Sequence, residues 1–201
     1  MAQEVLDRNS AIEQSAAQIT QTVSETYATI EQVDGISVGG RNLAIGTNQG
    51  VSNWSNWSFG TSGASATKEE VDVNGVRAVK FTRNDVANTS WTYLSYAKFA
   101  SNLIEPSTDY VISFDVLSSV NSGFNVGLLS NDSSLIWADL KSTGQVDANV
   151  WTKLSARITT REALGDPTST GIRIYFTAWK NDPGISYTFK NLKLEKGTIP
   201  T

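Results

Sequence analysis

The chain has 201 residues, 18% charged and 39% hydrophobic, enough for one good core plus an appendage. A formal net charge of -4 and the lack of any Lys/Arg run argue against a phosphate-reading surface, so no nucleic-acid partner is expected. Cysteine and histidine are absent, which removes disulfides, thiol nucleophiles, Cys/His zinc sites and every triad with an imidazole base.

Residues 3–34 contain no Gly or Pro and one aromatic, Tyr27. Small or apolar residues recur with alternating spacings of four and three. Asn9, Ala16, Val23 and Ile30 take heptad position a; Val5, Ile12, Ile19, Thr26 and Val33 take d. β-Branched residues at d disfavour a parallel dimer, so residues 1–34 are predicted to be an α-helical coiled coil forming a homotrimer. The alternative is a lone amphipathic helix packed on its own domain. Residues 35–40 read as a linker, with Gly35, Gly39 and Gly40 ending the helix. No stretch approaches the ~20 apolar residues of a membrane span, and nothing at the start reads as a signal peptide, so membrane insertion is not expected.

From Arg41 the pattern changes to period two. Strands are predicted near 41–46, 54–59, 67–73, 76–83, 90–97, 109–118, 123–130, 135–140, 150–160, 171–179 and 185–195. Turn chemistry separates them, most clearly Asn74-Gly75, then Asn121-Ser122-Gly123, Thr143-Gly144, Asp166-Pro167 and Asp182-Pro183-Gly184. The predicted fold is mostly β: an antiparallel jelly-roll β-sandwich over 41–201, preceded by the coiled coil.

Alternation assigns faces. Tyr110, Ile112, Phe114 and Val116 are predicted for the core, as are Phe124, Val126 and Leu128, then Ile136, Ala138 and Leu140, then Ile172, Ile174 and Phe176. The opposite positions collect Asp115, Asn125, Trp137, Asp139, Arg173, Tyr175 and Trp179. Aromatic rings pack on the C–H faces of sugars, and carboxylate, amide and guanidinium groups pair with hydroxyls. The candidate site is therefore a saccharide face. Trp137, Tyr175 and Trp179 form its platform; Asp115, Asn125, Asp139 and Arg173 supply hydrogen bonds. Trp91 and Tyr93 are second-rank candidates, with Leu94 and Tyr96 on the core side. One of Trp54 and Trp57 is expected in the core and one exposed. Trp151 reads as a core plug. A glycosidase would need two carboxylates about 5–5.5 or ~6.5–9.5 Å apart. Asp115 and Asp139 are the one pair to consider, but no catalytic motif supports them and no enzyme is expected.

Gly40-Arg41-Asn42-Leu43 after a helical segment resembles the opening of carbohydrate-binding-module-like domains in tail proteins of phages that infect Gram-positive bacteria. The close, Tyr187 to Thr201, resembles the last strand of the same domains. Asp109 to Phe114 and Val150 to Leu154 resemble internal strands, so the similarity covers roughly 36–200. The resemblance implies a non-catalytic host-recognition module in the virion, acting outside the host cell. Its partners would be a cell-surface or cell-wall polysaccharide, other tail or baseplate proteins, and itself as a trimer. The alternative is a structural spacer or docking domain that binds another virion protein. Related modules often hold a structural calcium near the final strand. Here Lys190-Asn191 stands where an Asp-containing pair often sits, so no cofactor is expected. Both ends read as those of a segment of a longer tail protein.

Overall fold

The computed structural model describes residues 2–26, 40–45, 47, 56–61, 65–84, 92–96, 103–129, 136–164, 173–178, 180 and 182–201. At 2, 5, 6, 24–26, 59–61, 92, 93, 136–139 and 173–176 it describes the backbone alone. The chain divides into two compact units, Met1–Ser37 and Val38–Thr201.

In the first unit, helix α1 spans Ala2–Thr26. It is free of Gly and Pro, and Glu4 in its first turn suits the helix dipole. Arg8 pairs with Glu4 at 3.2 Å, one turn apart. The Thr20 and Thr22 hydroxyls donate back to the carbonyls of Ala16 and Gln18, each at 2.9 Å. Residues 27–34 of the predicted helix, with Ile30 and Val33, and 35–39 of the linker lie outside the described residues.

Among the described residues the second unit contains ten strands: β1 Trp57–Thr61, β2 Ala66–Val73, β3 Val76–Arg83, β4 Thr92–Tyr96, β5 Asp109–Ser118, β6 Ser122–Leu129, β7 Ile136–Val146, β8 Thr152–Thr159, β9 Arg173–Ala178 and β10 Ser186–Lys196. They form two five-stranded sheets, ordered β1-β4-β9-β6-β7 and β2-β3-β10-β5-β8. All strand pairings within them are antiparallel.

The two sheets share one core, so the domain is a β-sandwich. Phe124 of the first sheet meets Tyr187 and Phe189 of the second edge-on, with ring centroids 5.2 and 5.5 Å apart. Phe114 also meets Phe124 edge-on, at 6.1 Å. Trp57 sits 5.0 Å from Tyr96 and is itself buried. Tyr110, Ile112, Phe114, Val116, Phe124, Val126 and Leu128 are all buried, as alternation predicts. Leu94 and Tyr96 are buried too.

Three expectations are corrected. The strand predicted at 41–46 is reduced, in its described residues, to a single bridge at Ala44 and a backbone hydrogen bond from Leu43 N–H to the Leu194 carbonyl at 2.7 Å. The Asn42 side chain holds it there. Its Oδ1 accepts from the N–H groups of Ala44 (2.9 Å) and Leu194 (3.0 Å), and its Nδ2 donates to Thr47 Oγ1 (2.9 Å). The bonds to Ala44 and Thr47 are local and compete with a strand ladder. The turn predicted at Thr143-Gly144 is an irregularity inside β7, where the pairing with β6 shifts and Gly144 has φ 95°. Leu140, assigned to the core, is 43% exposed. The same pair of strands shifts register again between Val126 and Leu128, so strict alternation does not carry across it.

Candidate functional site

The register of the first sheet defines its outward rows. Tyr93 of β4 pairs with Thr177 of β9, Thr177 with Asn125 of β6, and Asn125 with Ser142 of β7. The next row joins Ser58, Ser95, Tyr175 and Gly127, of which Ser95 and Gly127 are buried although they face away from the core. A third joins Arg173, Leu129 and Ile136. The intervening rows contain Leu94, Tyr96, Phe124, Val126 and Leu128, which fill the core. Directly paired residues share a face. Tyr93, Asn125, Arg173 and Tyr175 therefore come together on three adjacent strands about 4.8 Å apart, in successive rows. Asn125 and Thr177 are half-buried, and the Ser58 and Ser95 hydroxyls are 2.7 Å apart.

The other candidates fare differently. Trp137 and Asp139 belong to β7 of this sheet, and Trp137 falls where the register shifts between the Leu129–Ile136 and Leu128–Ala138 pairs. Trp91, Trp179, Trp54 and Ile172 lie outside the described residues. Asp115 is corrected outright. It sits on β5 of the second sheet, across the sandwich from the rest of its proposed group. Its Oδ2 accepts the Asn191 amide at 2.7 Å.

The outer face of the second sheet holds two depressions. A groove of about 440 Å³ is lined by Lys80, Leu117, Trp151 and Thr188, among others. Trp151 is thus no core plug. It is half-buried, and the Lys190 ammonium lies 4.3 Å from its ring centroid. Lys80 pairs with Glu69 at 2.9 Å. The second depression, about 270 Å³, is lined by Thr47, Ser113, Asp115, Lys153, Asn191 and Lys193. Its geometry depends on an irregularity in β10. The pairing with β5 shifts between Lys190 and Lys193, and Asn191 there takes φ 53°. Asparagine tolerates that left-handed conformation better than most residues. Sequence reasoning missed Trp151, Ser113, Lys153 and Asn191 as site residues. The period-two pattern marked Ser113 as facing away from the core, which was the one available signal.

These residues do not fit a calcium ion. The Asp115 carboxylate receives an amide N–H, and two lysines line the same pocket, whereas calcium needs six to eight oxygen ligands. Among the described residues no three Asp or Glu groups cluster as a metal site. Tyr96, Tyr110 and Tyr187 have phenols pushed up by burial, and all three are core residues rather than site residues.

No protein-family model matches the chain, and no curated protein matches it. Solved structures do. The enzymatically active domain of bacteriophage CBA120 tailspike protein 4 matches with TM-score 0.52 and 10% identity, over 77% of this chain and 21% of that one. An arabinose-bound α-L-arabinofuranosidase matches with TM-score 0.52 and 14% identity, over 81% of this chain and 26% of that one. The family 11 carbohydrate-binding module of a Clostridium thermocellum cellulosomal cellulase gives TM-score 0.49 and 14% identity, over 81% and 97%. The chain spans about a quarter of the first two proteins, and the likeness is one of fold.

Proposed function

We propose that this chain is a non-catalytic saccharide-binding module of a phage tail, that it recognises a host surface or cell-wall polysaccharide, and that it works as a homotrimer. The observation that carries the saccharide reading is the register of the first sheet. It gathers Tyr93, Asn125, Arg173 and Tyr175 from three strands. Aromatic rings beside amide and guanidinium groups are the chemistry that a sugar's faces and rim require. Support for a saccharide partner and a tail setting comes from likeness of fold to two catalytic proteins, an arabinose-bound α-L-arabinofuranosidase and the enzymatically active domain of a phage tailspike. The absence of catalysis is supported by topology, because Asp115 and Asp139 lie on different sheets and so do not form a glycosidase pair across one cleft.

The trimer reading is supported by α1. Each of its side chains that the structure describes is exposed, and Ile12, Ile19 and Val23 of the heptad seam are 63%, 64% and 49% exposed. An isolated helix of this length is marginal in water, and a shared apolar seam would stabilise it. Three weak sites on one particle raise avidity by ~10²–10⁴ when they reach the same wall. Sedimentation equilibrium of the Ile12→Asp/Ile19→Asp variant is expected to give monomer where the parent chain gives trimer.

The decisive experiment is an array of surface and cell-wall polysaccharides probed with the protein and with a Tyr93→Ala/Tyr175→Ala variant. Binding that the folded variant loses supports the face. Binding that the variant keeps overturns it. No binding by an intact trimer favours the spacer or docking reading instead.

A further inference from the structure

We propose that the second sheet carries a separate pocket, centred on Ser113, for a sugar unit bearing a carboxylate. Ser113 is 1% exposed, and its Oγ is buried with no hydrogen-bond partner among the described residues. Buried hydroxyls are nearly always paired, so an orphan that lines an open pocket points to something that fills it. The pocket, about 270 Å³, lies just below the range of drug-sized ligand sites and suits a single ring.

The lining chooses the ligand. Lys153 is exposed and makes no hydrogen bond or ion pair with the described residues. It can hold a carboxylate, with Ser113 Oγ as a second donor. Asp115 engages Asn191 through Oδ2 alone, which leaves Oδ1 to accept a sugar hydroxyl. Asn191 donates one amide N–H to Asp115 and keeps the second N–H as a donor and its carbonyl oxygen as an acceptor. A phosphate dianion suits this set poorly, because the Asp115 carboxylate would repel it at close range. A neutral sugar would leave Lys153 unused. Lys193 is held by the Thr201 carbonyl at 2.7 Å and adds positive potential.

The mount is rigid. Ser113, Asp115 and Lys153 sit on paired strands, with Asp115 directly opposite Lys153. The Leu192 carbonyl beside Asn191 accepts from both Asn42 and Thr47. A site on strands keeps its geometry without a ligand. It lies on the other sheet from the face proposed above, and the two readings stand or fall separately.

The test is an NMR titration of the ¹⁵N-labelled full chain with sodium D-galacturonate, D-galactose, sodium acetate and inorganic phosphate, followed at the Ser113, Lys153 and Asn191 amides. Galacturonate is expected to give saturable shifts at about tenfold or more tighter affinity than the other three. Lys153→Gln, an exposed change that leaves the fold intact, is expected to abolish the preference over galactose. Ser113→Ala is expected to weaken galacturonate several-fold. The proposal is overturned if galacturonate moves none of these amides, or if acetate or phosphate binds as well as it does. It is equally overturned if folded Ser113→Ala or Lys153→Gln retains full affinity and preference. Shifts confined to Asn125 and Thr177 would report the first sheet and count against this pocket.

Discussion

The Lys190 ammonium sits 4.3 Å from the centroid of the Trp151 indole, on the outer face of the second sheet. The cation caps one face of a half-buried ring whose surroundings include Leu117 and Thr188. Cation–π pairs at exposed sites contribute about 0.5–1 kcal/mol. Lys190→Ala should lower the free energy of unfolding by about that much. It should also change tryptophan emission, and the change should vanish in a Trp151→Phe background. Denaturant unfolding with fluorescence detection measures both.

Asn42 ties the loop at the start of the second unit to the irregular stretch of β10. Its Oδ1 serves two backbone N–H groups, at 2.9 and 3.0 Å. Asn42→Ala leaves both without that acceptor, at a cost of about 1–3 kcal/mol for each that water cannot reach. Hydrogen exchange should then accelerate at Ala44 and Leu194 before it does in β5.

The β2–β3 hairpin closes through Asn74 and Gly75, with φ 56° and 80°, between the paired Val73 and Val76. A Cβ at Gly75 meets nothing within 4 Å, so only backbone strain opposes it. Gly75→Ala should destabilise by about 1–2 kcal/mol. Gly40 has equally open surroundings and no positive φ, so Gly40→Ala should be close to neutral. Thermal unfolding of the two variants side by side separates conformational strain from steric clash.

Phe124 is fully buried and makes edge-on contacts with Phe114, Tyr187 and Phe189. It joins the two sheets. Phe124→Ala should cost about 3–5 kcal/mol, whereas Phe124→Leu should recover much of the loss. Urea titration checks the order.

Asp109 is held below its ordinary pKa of 3.8, first by the Arg157 hydrogen bond and then, against the opposing effect of burial, by the Thr159 hydroxyl at 2.7 Å and the Arg157 charge. A depressed carboxylate contributes stability that is fully present above the unfolded value. That contribution disappears as pH falls through the folded value. Asp109→Asn should therefore be less stable than the parent at pH 7. The gap should shrink as pH falls below the ordinary value of 3.8 and close once pH has passed through the lowered folded value, as a pH series of urea midpoints would record.

Much of this protein is legible from local chemistry. The Asn74-Gly75 hairpin follows from two residues that accept positive φ. The core-facing positions of β5 and β6 follow from period two, because every second residue of a strand shares a side, although Val111 and Ser113 on the other side of β5 are buried as well. The helix over 2–26 follows from composition and spacing.

The candidate site was legible only in part, for two physical reasons. Alternation fixes the faces within a strand, but it reads the same whichever sheet the strand joins. Asp115 alternates as Asn125 does, yet β5 pairs with β8 and β10 while β6 pairs with β7 and β9. Strand neighbours are chosen by contacts between residues far apart in the chain, so only the assembled sandwich separated Asp115 from Tyr175 and gave it Asn191. Irregularities in the ladders supply the second reason. An extra residue reverses parity, and this happens between Val126 and Leu128 and again between Lys190 and Lys193. The residues alone determined that this is a β protein with a helical lead. The tertiary structure alone decided which sheet holds each group, that Trp151 lies under Lys190, and that Ser113 lines a pocket with a hydroxyl to spare.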